Sequence, residues 1–252
     1  MKTERMPVLF IGHGSPMNAL EQNPWTEHLA KLGKELPRPK AIVCVSAHWT
    51  TPTTKRLHHP APRTIHDFYG FPDALYQVQY PAAGFQTEDD SFSSKDDQWG
   101  FDHGTWSVLR HMYPEANIPV TQLSLSGRLN HKEHTKVGEL LGKWRREEIL
   151  ILGSGNITHN LRDLDFSPRA RPRDWAVEFD ERTREALMKR DFAWLWSERP
   201  QYKKLWETAH PTLEHYMPLM YAVGASTEDD EISFPFTEIQ GASLSMRTVL
   251  YN

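Results

Sequence analysis

Three apolar runs of this chain each lead to a histidine. His13 follows Val8-Leu9-Phe10-Ile11-Gly12, and His48 ends Ala41-Ile42-Val43-Cys44-Val45-Ser46-Ala47. His159 follows Ile149-Leu150-Ile151-Leu152-Gly153-Ser154-Gly155-Asn156-Ile157-Thr158. Imidazole suits zinc, ferrous iron, copper and nickel, so repeated histidines without thiolates point to a metal centre and leave the metal open. A single histidine at a strand end is more often a hydrogen-bonded structural residue. Three at corresponding positions favour a shared task.

The runs must be positioned by the elements around them. Short runs rich in Val and Ile, bounded by Gly and Ser, read as buried parallel strands, and ligands of open α/β sheets bind beyond the strand carboxyl ends. All three imidazoles then face one crevice. Behind Pro24, Trp25, Leu29, Leu32 and Leu36 recur at helical spacing, which predicts a helix over 24–36. Residues 50–84, rich in Pro, His and aromatics, read as a long excursion over the sheet end. Residues 85–98 are polar and acidic and predict the least structured stretch. Helices are expected over 103–112 and 131–146, around Trp175, Phe179, Ala186 and Leu187, and from Thr212 behind Pro211. Strands are expected at 120–125, 232–236 and 243–250. With no repeat or linker, residues 1–252 are expected to form one domain: a three-layer α/β/α fold with a mixed, mainly parallel central sheet and the metal site at the strand carboxyl ends.

Composition narrows the partners. The 252 residues are 38% hydrophobic and 25% charged, ordinary for a globular enzyme. A net charge of −4 with scattered Lys and Arg offers no basic stripe for nucleic acid or an anionic membrane. Met1-Lys2-Thr3-Glu4-Arg5 leads into the first strand without a signal-like apolar core, and no apolar stretch suggests a membrane span. The single cysteine, Cys44, lies within an apolar run and reads as packing, so no disulfide framework or cysteine-based zinc finger is expected, and the cytoplasm is the expected compartment. Gly153-Ser154-Gly155 lacks the lysine of a phosphate loop and the dinucleotide fingerprint, which removes nucleotide binding. His58, His59, His111, His131 and His134 are expected on loop or helix surfaces, without function.

Six ordered motifs span nearly the whole chain: Gly12-His13-Gly14-Ser15-Pro16, Ser46-Ala47-His48-Trp49, Thr64-Ile65-His66-Asp67-Phe68, Gly100-Phe101-Asp102-His103-Gly104, Gly153-Ser154-Gly155-Asn156-Ile157-Thr158-His159-Asn160 and Glu214-His215-Tyr216. Together they resemble the DOPA-dioxygenase type of class III extradiol ring-cleaving dioxygenases. One departure is that relatives carry a longer helical stretch where this chain has residues 85–98.

The resemblance implies His13, His48 and His215 as metal ligands. It makes His159 either a fourth ligand in a resting form or the acid/base that handles substrate protons, and it places His103 on a substrate oxygen or dioxygen. His66 and Asp67 fall in a motif of the same family, and Ser15 and Asn156 are candidates for hydrogen bonds to the substrate, although Ser and Asn at such turns commonly serve only as caps. The implied cofactor is one divalent metal ion. Zinc is a plausible bound species and Fe(II) the one expected for turnover, because zinc has no redox change to offer dioxygen. The implied reaction is cleavage of a catechol, DOPA foremost, by O2 beside the diol, giving a seco-DOPA semialdehyde. No obligate protein partner is evident. Two rivals are a zinc hydrolase, since an open zinc position generates hydroxide at neutral pH, and a non-enzymatic binding protein on the same scaffold.

Overall fold

A computed structural model describes residues 5–167 and 169–252. Its strands are β1 (Val8–Gly12), β2 (Ala41–Thr51), β3 (Lys55–Leu57), β4 (Ser94–Asp96), β5 (Val120–Ser126), β6 (Ile149–Gly155), β7 (Ile232–Phe236), β8 (Ile239–Gln240), β9 (Leu244–Ser245) and β10 (Thr248–Tyr251). The α-helices are α1 (Pro24–Glu35), α2 (Asp73–Tyr76), α3 (His103–Met112), α4 (His131–Leu141), α5 (Asp174–Lys189), α6 (Phe192–Leu195), α7 (Lys203–Ala209) and α8 (Met217–Ala225). Eight strands form one sheet in the order β4-β3-β5-β2-β6-β1-β10-β7. Its centre, β5-β2-β6-β1, is parallel, whereas β10 and β7 add antiparallel strands at one side and β3 pairs antiparallel with β5 at the other.

The central strands are apolar on both faces because both are covered. Val8, Phe10, Val43, Val45 and Ile151 pack into a core with side chains of α4, α5 and α8. Their sequence neighbours Leu9, Ile11, Ile42, Cys44, Leu150 and Leu152 turn to the opposite core, built with Trp25, Leu29 and Leu32 of α1 and Trp106 and Leu109 of α3. This alternation within continuous apolar runs is the signature of a sheet buried on two sides, hence the three layers. Helix starts follow local chemistry. Asn23 and Thr26 form a reciprocal capping box ahead of α1, with Pro24 in its first turn, and Asn130 and Glu133 do the same for α4.

Several expectations need correction. Residues 85–98 contain β4, which pairs parallel with β3 at the sheet edge. The expected strand over 243–250 divides into β9 and β10, which belong to different sheets. The helix expected from Thr212 starts at Met217, so His215 lies in the turn before α8 rather than on it. The last turns of the 131–146 helix tighten into a 3-10 segment, Gly142–Glu147. His134 is buried, not superficial, with its Nδ1 3.0 Å from the Tyr221 hydroxyl between α4 and α8.

Candidate metal centre

Five histidines converge where β1, β2 and β6 end their mutual pairing. His13 follows β1, and its backbone N–H donates to Gly155 C=O at 3.0 Å. His48 lies within β2, but that strand leaves β6 after the Ser46–Ser154 pair. From Val45 to Thr50, β2 spends five residues opposite the short step from Leu123 to Leu125 of β5, so the chain bulges and re-aims its side chains. Asp102 secures the bulge. Its Oδ1 accepts the Ser46 hydroxyl at 2.6 Å, and that same hydroxyl oxygen accepts the His48 N–H at 3.2 Å. Burial pushes the Asp102 carboxyl up to about 6.

The turn carrying His215 is locked against β6. Asn156 N–H donates to His215 C=O at 2.8 Å. A Cβ added at Gly155 would lie 2.1 Å from that carbonyl oxygen, so only glycine allows this approach. His159 is held through its backbone, whose N–H donates to Ala209 C=O at 2.9 Å. His103 opens α3.

The hydrogen bonds determine which imidazole nitrogens are free. Ser154 has one proton, and its hydroxyl lies 2.5 Å from Gly104 C=O, which can only accept. Ser154 Oγ therefore accepts at its 3.0 Å contact with His13 Nδ1, which must carry the hydrogen and leave Nε2 with a lone pair. Asp67 does the same for His103 and sets its carboxylate behind His48. Its Oδ2 lies 2.9 Å from His103 Nδ1 and 3.3 Å from His48 Nδ1, while its Oδ1 accepts the His103 backbone N–H at 2.9 Å. Glu214 Oε1, 3.3 Å away, holds His215 Nδ1. Orientation of a ligating imidazole through its second nitrogen is the usual arrangement around a metal.

The consequence is that His13 Nε2, bearing a lone pair, faces His48 Nε2 at 3.0 Å, while the Asp67 carboxylate lies 3.3 Å behind the His48 ring. Such an approach requires a cation between them or a proton on one. Burial first, and then the neighbouring histidines, pushes His13 well below the ordinary histidine range. Burial also lowers His48, more than Asp67 raises it, so protonation is disfavoured at both. A metal fits. With metal–nitrogen bonds of about 2.1 Å, nitrogens at right angles lie about 3.0 Å apart and tetrahedral ones about 3.4 Å. The observed spacing is one that two ligands of a single ion would take.

Nitrogen spacing groups the remaining rings in two sets. Ligand atoms of His13, His48 and His103 lie within 4.8 Å of one another, as do those of His159, Glu214 and His215. His103, expected as a non-ligand, is thus grouped with the first pair. His215 joins the sets, with its ring centroid 5.3 Å from His13 and 4.8 Å from His48. His159 stacks face to face on it at 3.4 Å, with the planes 4° apart. Burial lowers His159 to about 4, and its ring has no hydrogen bond to another described residue.

The four residues expected on the substrate have other partners. Asp67 spends both oxygens on His103 and His48. Ser15 caps a 3-10 turn, its hydroxyl accepting from Met17 N–H at 3.2 Å. Asn156 is buried and donates to Ser245 C=O at 2.8 Å. His66 Nε2 lies 3.0 Å from Val78 C=O, and its ring packs on Phe68, Tyr76 and Trp106. Sequence reasoning missed Ser154 and Glu214 as supports of the rings. The one available signal for Ser154 was its place in the Gly-Ser-Gly end of β6.

Residues 7–249 match the protein family described as the catalytic LigB subunit of aromatic ring-opening dioxygenase. An Escherichia coli K12 protein named 4,5-DOPA dioxygenase extradiol is 41% identical over 264 aligned positions, covering 99% of this chain and 96% of the relative. Those 264 positions exceed the 252 residues here, so the alignment opens gaps in this chain, as a missing segment requires. A Mirabilis jalapa protein of the same name is 34% identical over 86% of this chain and 85% of its own length. The crystal structure of an uncharacterized E. coli K12 protein superimposes with a TM-score of 0.84 at 36% identity, covering 98% of this chain and all of that one.

Proposed function

Because the chain belongs to the LigB family of aromatic ring-opening dioxygenases, and is an extradiol enzyme of that family, we propose that its substrate is a DOPA-type catechol cleaved at the 4,5 bond to a seco-DOPA semialdehyde. The observation that carries the reading is the pair of Nε2 nitrogens facing at 3.0 Å on His13 and His48, with a hydrogen bond to Ser154 behind the first ring and the Asp67 carboxylate 3.3 Å behind the second. Under this proposal His13, His48 and His215 hold one divalent metal, Fe(II) in turnover, with zinc able to occupy the same site. Such an ion would supply Lewis acidity toward the catechol oxygens and, as Fe(II), a redox partner for dioxygen.

The chain's own residues supply the proton handling. A catechol loses at least one hydroxyl proton on binding, and the His159 ring, stacked on His215 with no hydrogen bond to another described residue, is free to accept it and return one as the ring opens. His103 Nδ1 is committed to Asp67, which leaves Nε2 to hydrogen-bond an oxygen of the substrate or of O2. Ser154, Asp67 and Glu214 keep the rings oriented throughout. Residues 1–252 act in this reading as one catalytic domain. No described helix is long and apolar enough to cross a membrane, and with its lone cysteine the chain is assigned to the cytoplasm.

The test is oxygen uptake by metal-stripped protein reloaded separately with ferrous iron and with zinc, across a catechol panel. Iron-dependent uptake with DOPA and a yellow product in air is the expected result. Iron-loaded protein inert toward DOPA and every simple catechol refutes the reading.

A further inference from the structure

A cavity of about 580 Å³ lies beside the histidine cluster and shares Glu214 with it. Leu125, Leu129 and Met217 give it an apolar lining, to which Thr50 and Arg128 add polar groups. The cavity meets β2 at Thr50, two residues beyond His48. His48 and Thr50 are exposed to increasing degree while Trp49 between them is buried, so the two share the open side of the strand.

Arg128 is an exposed residue of the turn after β5. Among the described residues its guanidinium has neither an ion pair nor a hydrogen bond. An unpaired arginine in a partly apolar cavity is the side chain suited to a carboxylate, which it grips through two parallel N–H donors. Glu214 brings the opposite charge to the same cavity. Its Oε1 is taken by His215 and the Thr212 hydroxyl, which leaves Oε2.

We infer that Arg128 determines specificity by binding the substrate carboxylate, so that the site selects catechols bearing an amino-acid group over their decarboxylated counterparts. This rests on the ring-cleavage proposal for placing the catechol ring among the histidines. The Glu214 oxygen faces the ammonium group of the same substrate.

Iron-loaded protein titrated anaerobically with DOPA and with dopamine, which lacks only the carboxylate, tests the assignment. Wild type is expected to bind DOPA at least about tenfold more tightly, the effect of one charge-assisted pair in a part-open cavity. In Arg128→Gln that preference collapses toward unity, and in Arg128→Glu it reverses to dopamine. A wild type without preference, or an Arg128→Gln preference equal to that of wild type, overturns the inference. Oxygen uptake on the same samples reads the chemistry separately. An unchanged preference with normal uptake removes only the Arg128 assignment. A preference that depends on Arg128 but comes without uptake supports it and removes the ring-cleavage proposal instead.

Discussion

Replacing Asp67 by asparagine alters the sense of one hydrogen-bonding atom with almost no change in volume, yet every position open to the new amide is already committed. Oδ1 accepts the His103 backbone N–H, and Oδ2 accepts Nδ1–H from His103 and lies 3.3 Å from His48 Nδ1. An amide has two orientations at this position, and both fail. With its NH2 at the Oδ1 position, donor faces the His103 N–H. With its NH2 at the Oδ2 position, donor faces the His103 imidazole N–H and sits beside His48 Nδ1. The rings can accept only by moving their protons to Nε2, the nitrogen a metal needs from His48. Loss of such a supporting partner weakens metal binding about 10- to 100-fold. The mismatched donor costs a further 1 to 3 kcal/mol, roughly, of folding stability. For a chain of this size that lowers the melting temperature by about 2 to 12 °C. Competition against a chelator of known affinity measures the first effect, and thermal unfolding of the metal-stripped protein measures the second. A folded Asp67→Asn protein that binds metal within twofold of wild type refutes the orienting role of Asp67.

The ligand assignment predicts that His13→Ala and His48→Ala lose the metal, whereas His159→Ala retains most of it and loses ring cleavage; metal analysis beside oxygen uptake separates these, and equal metal loss in all three refutes the division. The same analysis on His215→Ala and His103→Ala decides the third position, with the larger metal loss expected in His215→Ala. Away from the site, Arg145 and Asp230 form a two-pronged ion pair whose side chains are 1% and 2% exposed. Asp230→Ala strands the guanidinium and is expected to cost about 3 kcal/mol near neutral pH. Burial works against ionisation of Asp230, but Arg145 outweighs it and holds the carboxyl below its unfolded value. Its contribution is therefore complete above the unfolded carboxylate pKa and is lost as pH falls through the lowered one. The stability gap between wild type and Asp230→Ala should be widest near neutrality and shrink in acid; a gap that widens in acid refutes this.

The layers and the two principal histidines were legible because they depend on local pattern. Unbroken apolar runs of five to seven residues can only be strands covered on both faces, and a histidine at the end of such a run is carried to the sheet's ligand edge. What was not legible depends on register. Ser154 can support His13 only because parallel pairing sets Ile11 beside Ser154, and nothing in either run alone specifies that alignment. The bulge at His48 is likewise a property of β2 against β5. Asp67 looked like a substrate contact because a carboxylate in a long loop has no local partner, and its partners are 36 residues ahead in His103 and 19 residues behind in His48. His134 was misplaced for the converse reason: an amphipathic helix pattern does not show that α8 will cover the polar side of α4's first turn.

The hydrogen bonding behind the rings separates the five histidines more sharply than distance does. His13, His48, His103 and His215 each have Nδ1 tied to a hydroxyl or carboxylate, whereas His159 is placed by its backbone and by stacking alone. An anchored ring presents Nε2 in a fixed direction, which a ligand requires because metal bonding tolerates little angular error. A proton carrier has the opposite requirement: its nitrogen must meet a hydroxyl early in the reaction and a carbon or oxygen elsewhere later. A ring free to slide over His215 can do so, and a second anchor would forbid it. Under the proposed roles, the lack of a side-chain anchor at His159 is the feature that would divide proton transfer from ligation in this cluster.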